Sequence, residues 1–516
     1  MARIVTDYLE EAYSRYPDKI VIAEEGRAVS FRELRDSAMR MASFFISAKI
    51  FKKPIAVYLD KGADVVSSFM GCAYSGNYYT AIDPQMPPAR VQSIIHTLHP
   101  EYIITSRKYA DCVRELVPGT SLLLFEEAQE LEADEQEVRQ CTARIIDTDV
   151  LYVLFTSGST GVPKGAIISH RAVITYIEWA SETFSIHSDE ILANQTPFYF
   201  SMSVFDIYVS LRNACTMFLV PRQLFSEPLA LLEYLDVNRI SLLYWVPSAL
   251  IPVANSGALK QKSLPCLKKV LFAGEVMPMR QLNLWRESLP EVLFADLFGP
   301  TEVTDICTYF VVNRQFADEE SLPIGFPCRN SDILVLTDKD CLVESSRTDL
   351  IGELCVRGST LAYGYYNDPL RTAEVFVQNP LNPFYPETIY RTGDLVRYND
   401  RGELEYIGRK DFQIKINGYR IELGEIETAI SSLSEIEESC CVFDDENKLI
   451  ICIYSGKAEK QSIRKKLRGL LPRYMMPHRY MKLDHMPHNS NGKIDRTLLK
   501  QKAVSDGLSR MGEQEL

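Results

Sequence analysis

The segment LYVLFTSGSTGVPKGAIISH (residues 151–170) joins two apolar runs through a loop of glycines, hydroxyl residues and one lysine, Lys164. A strand that leads into such a loop exposes backbone N–H groups and hydroxyls to an anion, and the lysine adds a positive charge. The spacing differs from that of a P-loop, in which Ser or Thr follows the lysine; here Gly165 follows it. The segment therefore predicts a phosphate site of another kind at the end of a strand.

Length and composition limit the class of protein. The 516 residues exceed what one ordinary core holds, so we expect two or more domains. A net charge of −13 argues against a nucleic-acid binder, which needs a basic surface. No apolar run approaches the ~20 residues that span a bilayer, and residues 1–19 lack the apolar core of a signal peptide. We therefore expect a cytoplasmic protein with no membrane and no nucleic-acid partner.

The cysteines and histidines show no metal-binding pattern. The 12 cysteines contain no C-x-x-C pair, and the 7 histidines contain no H-x-x-x-H or H-x-H cluster. Disulfide frameworks belong to small secreted domains, so we expect reduced and mostly buried cysteines.

The order of apolar runs predicts the fold class. Short strand-like runs such as PIAVYL, EYIIT and SLLYWV alternate with helix-like stretches such as FRELRDSAMRMASFFIS. This alternation is typical of an α/β protein with parallel-rich sheets. From Gly325 the pattern changes to short strands and turns, which predicts a β-rich subdomain. A small α+β unit is expected after residue 408, with a helix from Leu423, two strands and a basic helix.

Further motifs follow the glycine-rich loop in a fixed order: LFGPTEVT (297–304), YRTGDLVRY (390–398), GRKDFQIKINGYRIELGEIE (408–427) and NGKIDR (491–496). Together with the loop, they resemble the adenylate-forming superfamily, which comprises acyl-CoA synthetases, luciferases and the adenylation domains of nonribosomal peptide synthetases. The resemblance extends over nearly the whole chain. It implies a large domain at residues 1–408, which binds ATP and the acid, and a small C-terminal domain at 411–516, which rotates about a hinge near Asp411.

The resemblance implies ATP and Mg²⁺ as cofactors. A carboxylate attacks a triphosphate only when cations and rigid positioning overcome the charge repulsion. Glu302 matches the magnesium ligand, with Thr156 beside it, and Glu302, Lys164 and Lys493 are the expected catalytic residues. Phe298 and Asp296 stand where the family usually has tyrosine and asparagine. The expected ATP-binding residues are Thr156, Ser157, Gly158, Ser159, Thr160, Lys164, Asp296, Phe298, Gly299, Thr301, Asp394 and Arg409.

The small domain is expected to serve two reactions. Lys493 would bridge the incoming carboxylate and the α-phosphate during adenylation. After rotation about Asp411, the segment around Gly418 would face a pantetheine thiol, because glycine allows close backbone approach.

Asp206 is the expected determinant of the substrate class. It falls in an apolar helical run, and a buried carboxylate needs a cation. In the amino-acid-activating members that the chain resembles, this aspartate binds the substrate's α-ammonium. The other expected pocket residues, which Lys493 completes, are Ile207, Ser210, Trp245, Leu271, Ala273, Leu297, Asp305 and Ile306.

The pocket resembles most closely that of free-standing D-alanine–carrier protein ligases, from which Ala273 and Asp305 depart. A small amino acid such as alanine is expected. If Asp305 faces the cavity, serine, ornithine or lysine are the alternatives.

The expected activity is AMP-forming ligation of a free amino acid, followed by thioester transfer to a separate phosphopantetheinylated carrier protein. Two other hypotheses stay open. An acyl- or aryl-CoA ligase would use free coenzyme A, although Asp206 speaks against it. A catalytically inactive homologue would serve only as a binding module, which the presence of Lys164, Glu302, Asp394 and Lys493 disfavours.

Overall fold

The structure is a computed structural model that describes residues 2–158, 162–488 and 494–511. Strands alternate with helices through the first 300 residues, and the α/β class predicted from the sequence is confirmed. The strands are β1 Ile20–Glu24, β2 Arg27–Ser30, β3 Pro54–Tyr58, β4 Tyr78–Ile82, β5 Tyr102–Thr105, β6 Leu122–Leu124, β7 Val150–Thr156, β8 Lys164–Ser169, β9 Ile191–Asn194, β10 Thr216–Leu219, β11 Leu242–Trp245, β12 Lys269–Ala273, β13 Leu293–Phe298, β14 Thr308–Val311, β15 Phe326–Pro327, β16 Ser331–Leu336, β17 Gly352–Gly358, β18 Phe376–Gln378, β19 Thr388–Tyr398, β20 Leu404–Arg409, β21 Gln413–Ile416, β22 Tyr419–Glu422, β23 Ile436–Asp444, β24 Leu449–Gly456 and β25 Arg479–Lys482.

The helices occupy the connections between these strands. They are α1 Thr6–Arg15, α2 Phe31–Ser47, α3 Ala63–Tyr74, α4 Pro88–Leu98, α5 Ala110–Leu116, α6 Phe125–Gln129, α7 Glu135–Thr142, α8 His170–Thr183, α9 Met202–Asn213, α10 Pro228–Val237, α11 Pro247–Ser256, α12 Met279–Ser288, α13 Pro369–Val375, α14 Leu423–Ser431, α15 Lys460–Leu467 and α16 Arg496–Met511. Local chemistry sets their starts: at α2 the Ser30 hydroxyl accepts from the Glu33 N–H at 3.2 Å, and the Glu33 carboxylate accepts from the Ser30 N–H at 2.8 Å.

Two large sheets contain most of the strands. One has nine strands in the order β15-β14-β13-β12-β11-β9-β10-β1-β2, and the other has six in the order β6-β5-β3-β4-β7-β8. The pairs from β1 through β10, β9, β11 and β12 to β13 are parallel, as are the pairs among β3, β4, β5 and β6 and the pair β4–β7. In such sheets, ligand sites form beyond the carboxyl ends of the strands.

Helix α9 is central to the first sheet's packing. Its residues from Met202 to Leu211 are all buried, and most of the apolar ones belong to one large core cluster. A helix that is buried all round has no solvent face on which to place a charge. Any charged side chain in it therefore needs a specific partner.

The predicted β-rich segment forms a third sheet of five strands. Its order is β16-β17-β19-β18, with β20 paired to β19, and each of these pairs is antiparallel. In the register of β19 and β20, Asp394 lies directly opposite Arg409.

The chain divides into two compact units. The large unit comprises Met1–Pro84, Thr97–Phe155 and Gly165–Lys410, and the small unit comprises Gln85–His96, Thr156–Lys164 and Asp411–Leu516. The segments 85–96 and 156–164 thus pack with the C-terminal part of the chain, whereas the sequence placed them in a domain at 1–408. The expected hinge at Asp411 stays a prediction.

The C-terminal part of the small unit has the expected α+β elements. The hairpin β21–β22 precedes α14, and a three-stranded sheet follows in the order β23-β24-β25, with α15 between its last two strands. One apolar cluster joins α14 and α15 to one face of the sheet, and a second, with Leu499 and Ala503 of α16, covers Cys440, Val442, Ile451 and Ile453.

The cysteines are free, as predicted, and nine of the 12 are buried. Among the described residues, no helix is both long and apolar enough to cross a membrane.

Candidate functional site

Asp206 lies on α9, and its side chain is fully buried. Its Oδ2 accepts a hydrogen bond of 2.6 Å from the Asn194 amide nitrogen at the carboxyl end of β9. Desolvation of the carboxylate raises the pKa of Asp206 to about 8, while the Asn194 hydrogen bond and the positive charge of Lys61 act in the opposite direction and Asp305 raises it further. An empty site thus favours the protonated acid, and a bound cation would favour the carboxylate.

The neighbourhood of Asp206 contains buried polar atoms with no hydrogen-bond partner among the described residues. They are Asp206 Oδ1, Asn194 Oδ1, Gln195 Oε1, Thr196 Oγ1 and Ser210 Oγ. Ser210 lies one helical turn after Asp206, and residues 194–196 form the end of β9 and the following loop. Buried polar atoms are nearly always satisfied, so such a group of hydrogen-bond acceptors indicates that a ligand with several N–H or O–H donors binds here.

Lys61 also belongs to this neighbourhood, although no sequence motif selected it. It follows β3, and its ammonium donates to the Gln195 carbonyl at 3.3 Å and lies 5.5 Å from the centre of the Phe198 ring. Desolvation lowers the pKa of Lys61 to about 8, against the opposite effects of Asp206 and Asp83. Its position at the carboxyl end of a parallel strand is the signal by which it could have been found.

Asp305 is buried and paired with two tyrosines. Its Oδ2 accepts from the Tyr176 hydroxyl at 2.7 Å and from the Tyr244 hydroxyl at 2.9 Å. Burial and the negative charge of Asp305 raise the pKa of both tyrosines, which keeps them as neutral donors. The sequence left open whether Asp305 faces the cavity or pairs with a neighbour. In the structure its carboxylate pairs with these two neighbouring side chains.

Trp245 does not share the face of the sheet on which Asp206 and Asp305 lie. Its indole nitrogen donates to the Ala193 carbonyl at 2.7 Å, and its ring packs against Phe225 in a different core cluster. Tyr244, the preceding residue of β11, lies on the Asp305 side, because successive side chains of a strand point to opposite faces. The assignment of Trp245 to the pocket is therefore wrong, and Tyr244 occupies that position.

The apolar residues expected in the pocket lie together. Leu271 and Ala273 alternate along β12, and the register pairs Tyr244 with Leu271 and Ala273 with Leu297. The members that share one core cluster are Ile207, Tyr244, Leu271, Ala273, Leu297 and Ile306.

Glu302 is fully buried in the turn after β13. The Tyr365 hydroxyl donates to its Oε1 at 2.6 Å. Gly299 permits this turn, because a Cβ there would lie 2.3 Å from the Asp305 carbonyl oxygen. Magnesium bound to ATP phosphates needs only one or two protein carboxylates, so Glu302 fits the expected ligand. Thr156 belongs to the small unit, and a magnesium ion that both residues contact stays a prediction.

Asp394 and Arg409 form a buried ion pair. The Arg409 Nη1 donates to Asp394 Oδ1 at 2.8 Å and to the Thr392 carbonyl at 3.0 Å. The pair orients the carboxylate that is expected to accept from the ribose hydroxyls. Asp296 is buried on β13, and the Phe298 ring is half-buried with its centre 5.8 Å from that of Tyr406.

The glycine-rich loop already binds an anionic group within the small unit. The Gly158 N–H donates to Glu425 Oε2 at 3.2 Å, and Arg90 donates to the other oxygen of that carboxylate at 2.7 Å. The Ser157 hydroxyl donates to the Arg420 carbonyl at 2.7 Å. The Gly158 N–H thus donates to a side-chain carboxyl oxygen in this structure, and phosphate binding by the loop stays a prediction.

Other expected residues of the loop and the small unit are only partly described. Lys164 begins β8 and is half-buried. Ser159, Thr160 and Lys493 lie outside the described residues. Asp411 Oδ1 accepts from the Gln413 N–H at 3.2 Å.

Gly418 lies where the sequence requires a tight turn. Asn417 and Gly418, with φ of 52° and 76°, form the two-residue loop between β21 and β22. Positive φ at both positions is typical of a type I′ hairpin turn, which favours Asn-Gly.

The described residues contain no group of three or more His, Cys, Asp or Glu side chains arranged to hold a metal ion. A site with one carboxylate, completed by phosphate oxygens and water, is therefore the form that a magnesium site at Glu302 would take.

The sequence is similar to a family of enzymes and to several known proteins. The family model described as AMP-binding enzyme matches residues 9–366. Zwittermicin A synthase ZmaJ of Bacillus cereus is 29% identical over 511 residues, which cover 97% of this chain and 95% of that protein. Surfactin synthase subunit 1 of Bacillus subtilis (strain 168) is 30% identical over 503 residues, which cover 96% of this chain but 14% of that protein. The chain thus spans nearly all of one relative and a small part of the other.

Solved structures share the fold. PA1221, an NRPS protein containing adenylation and PCP domains, matches with a TM-score of 0.81 at 22% identity, over 97% of this chain and 84% of that chain. The o-succinylbenzoate CoA synthetase of Bacillus subtilis matches with a TM-score of 0.82 at 19% identity, over 96% and 98% of the two chains. At such identities the likeness shows the α/β architecture alone.

Proposed function

Because this chain belongs to the AMP-binding enzyme family, we propose that it activates a free amino acid and transfers it to the phosphopantetheine thiol of a carrier protein. ATP-dependent, AMP-forming ligation is the chemistry of the family. The amino acid and the carrier are the parts that we propose.

The observation that carries the proposal is the buried carboxylate of Asp206. Its Oδ1 has no hydrogen-bond partner among the described residues, and neither has the Oδ1 of Asn194, whose amide nitrogen donates to Asp206. An α-ammonium has N–H donors for both of these oxygens and a positive charge that matches the carboxylate. A fatty or aryl acid has neither the donors nor the charge.

Each residue of the site has a separate proposed role in adenylation. Asp206 would hold the α-ammonium and so fix the position of the substrate's carboxylate. Asp394 would accept from the ribose, and the loop at residues 156–164 would donate to the phosphates. Magnesium, when bound at Glu302, would neutralise phosphate charge. Lys493 would stabilise the negative charge that builds between the carboxylate and the α-phosphate.

The pocket walls favour a small side chain. Tyr244, Leu271, Leu297 and Ile306 are buried in one cluster, and Asp305 contacts the hydroxyls of Tyr176 and Tyr244. We propose alanine or a similarly small amino acid, with serine, ornithine or lysine as alternatives if Asp305 also contacts the substrate.

We expect Asp305→Ala to leave the preferred amino acid unchanged and to lower the melting temperature. The substitution removes the acceptor of two buried tyrosine hydroxyls, at a cost of roughly 1–3 kcal/mol for each group. The measurement is amino-acid-dependent ATP–pyrophosphate exchange over a panel of L- and D-amino acids, together with thermal melting.

Asp305→Asn is the matched control, because its amide oxygen still accepts from the tyrosines. A preference that moves from a polar or cationic amino acid to an apolar one in Asp305→Ala would show that Asp305 contacts the side chain, and the choice of a small apolar substrate would be wrong.

We expect Asp411→Pro to retain adenylation and to lose thioester transfer. If Asp411 is the hinge, proline fixes its φ near −65° and restricts domain rotation. Pyrophosphate exchange measures the first step, and transfer of labelled amino acid to a phosphopantetheinylated carrier protein measures the second.

Asp411→Asn, which keeps the acceptor for the Gln413 N–H, should support both steps. An equal loss of both steps in a proline variant that melts normally would argue against Asp411 as the hinge.

The proposed substrate class is tested by comparing exchange with amino acids against exchange with fatty and aryl acids. Exchange that depends on an amino acid supports the proposal. Exchange that responds only to fatty or aryl acids would favour an acyl- or aryl-CoA ligase.

A further inference from the structure

We propose that Lys61 binds the α-carboxylate of the amino-acid substrate whose α-ammonium is bound by Asp206. This inference rests on the proposed function and adds a binding residue to it. Each end of the zwitterion would then be bound by a side chain near a different sheet of the large unit. Lys61 follows β3 of the six-stranded sheet, and Asp206 lies on α9 beside β9 of the nine-stranded sheet.

Two consecutive residues connect Lys61 to Asp206. The Lys61 ammonium donates to the carbonyl of Gln195 at 3.3 Å, and the side chain of Asn194 donates to Asp206 at 2.6 Å. Because neighbouring Cα atoms are about 3.8 Å apart, the segment 194–195 brings the cation and the carboxylate to the same small region. A zwitterion needs one partner of each sign, and these two side chains provide one each.

The side chain of Lys61 is exposed to solvent. Even so, the surrounding protein desolvates the ammonium enough to lower its pKa, with Asp206 and Asp83 as the acidic groups that face it. An exposed ammonium whose charged form is destabilised by its surroundings is placed to exchange water for an anionic ligand.

The contact that Lys61 makes at present is weak enough to be replaced. A carbonyl at 3.3 Å is a long acceptor for an ammonium, and the ring of Phe198 lies at 5.5 Å from it. A carboxylate would form a shorter, charge-assisted hydrogen bond. The alternative is that Lys61 only neutralises Asp206 in the empty site, in which case it would compete with the substrate's ammonium.

The two roles predict opposite effects of Lys61→Gln. If Lys61 binds the carboxylate, the substitution should raise the KM for the amino acid by about 10- to 100-fold, the range for losing a hydrogen bond to a charged group. If Lys61 only neutralises Asp206, its removal should leave the KM unchanged or lower it. The measurement is pyrophosphate exchange with the amino acid that gives the fastest wild-type rate, at saturating ATP.

Amino alcohols show whether the substitution weakens carboxylate binding alone or disrupts the whole binding site. The probe is the alcohol with the same side chain, for example alaninol for alanine, used as a competitive inhibitor. Because it lacks the carboxylate, its Ki should change by less than about threefold in Lys61→Gln. Equal weakening of the amino acid and the alcohol would overturn the proposal, as would an unchanged KM.

Lys108→Gln is the matched control. Lys108 is paired with Asp60, the residue before Lys61, at 2.7 Å, and it is exposed. The control should keep the wild-type KM, and Lys61→Arg should recover part of the affinity. Wild-type protein that activates no amino acid would refute the proposed function itself, whereas an active wild type with an unaffected Lys61→Gln variant would refute only this inference.

Discussion

Asp206→Ala is expected to abolish amino-acid activation. The substrate's α-ammonium would enter a buried site without its carboxylate partner, which costs about 3–5 kcal/mol. The loss in kcat/KM is then on the order of 10²–10³-fold, measured by pyrophosphate exchange with the preferred amino acid. A variant that keeps wild-type exchange would remove Asp206 from substrate binding.

Asp206→Asn shows whether the loss comes from function or from folding. Burial raises the pKa of Asp206 to about 8, above the value near 4 of an unfolded aspartate. The folded protein therefore holds a proton that the unfolded chain releases, and this stabilisation is lost as the pH rises from about 4 to about 8. The asparagine variant should melt at or above the wild-type temperature, most clearly above pH 8, and should still fail to activate an amino acid.

Lys493→Ala is expected to lower adenylate formation by roughly 10²–10³-fold, the scale for losing one preorganised electrostatic partner. ATP binding and thermal stability should change little, because the role that we propose concerns charge that develops during the reaction. Single-turnover formation of the adenylate measures the step, and equilibrium binding of ATP measures the ground state.

A lysine nearby in the sequence provides the control. Lys500 on α16 pairs with Asp445 at 2.6 Å and is exposed. Lys500→Ala should keep wild-type exchange. Near-normal adenylation by Lys493→Ala, or an equal loss in both variants, would exclude the proposed role.

The α/β pattern could be predicted from the sequence because its strands are short, apolar and separated by helical periods. The runs PIAVYL and SLLYWV coincide with β3 and β11, and the helix expected from Leu423 is α14. Local propensity and burial agree in these elements, so no tertiary information was needed.

The face of the sheet on which the Trp245 side chain lies could not be predicted from the sequence. Alternation along β11 separates Tyr244 from Trp245, but it does not say which of them shares a face with Leu271. That depends on the register, which pairs Tyr244 with Leu271 and Trp245 with Phe272. Register is a property of two strands, and a motif match that is one residue out of step points to the wrong face.

Partners that come from distant segments could not be inferred either. Tyr176 contacts Asp305 from 129 positions away along the chain, and Tyr365 contacts Glu302 from 63 positions away. Asp206 itself was recognisable because a charge stood alone in an apolar helix. The lysine and asparagine around it carried no comparable signal, since lysines and asparagines are common in loops.

Direct detection of the adenylate tests whether the protein activates a small amino acid. The purified protein is incubated with MgATP and each member of a panel of amino, fatty and aryl acids, and the products are identified by mass spectrometry. We predict that a small amino acid yields its aminoacyl-AMP together with pyrophosphate, and that the Asp206→Asn variant yields none. An adenylate formed only with a fatty or aryl acid, or formed equally well by the Asp206→Asn variant, would refute amino-acid activation through Asp206.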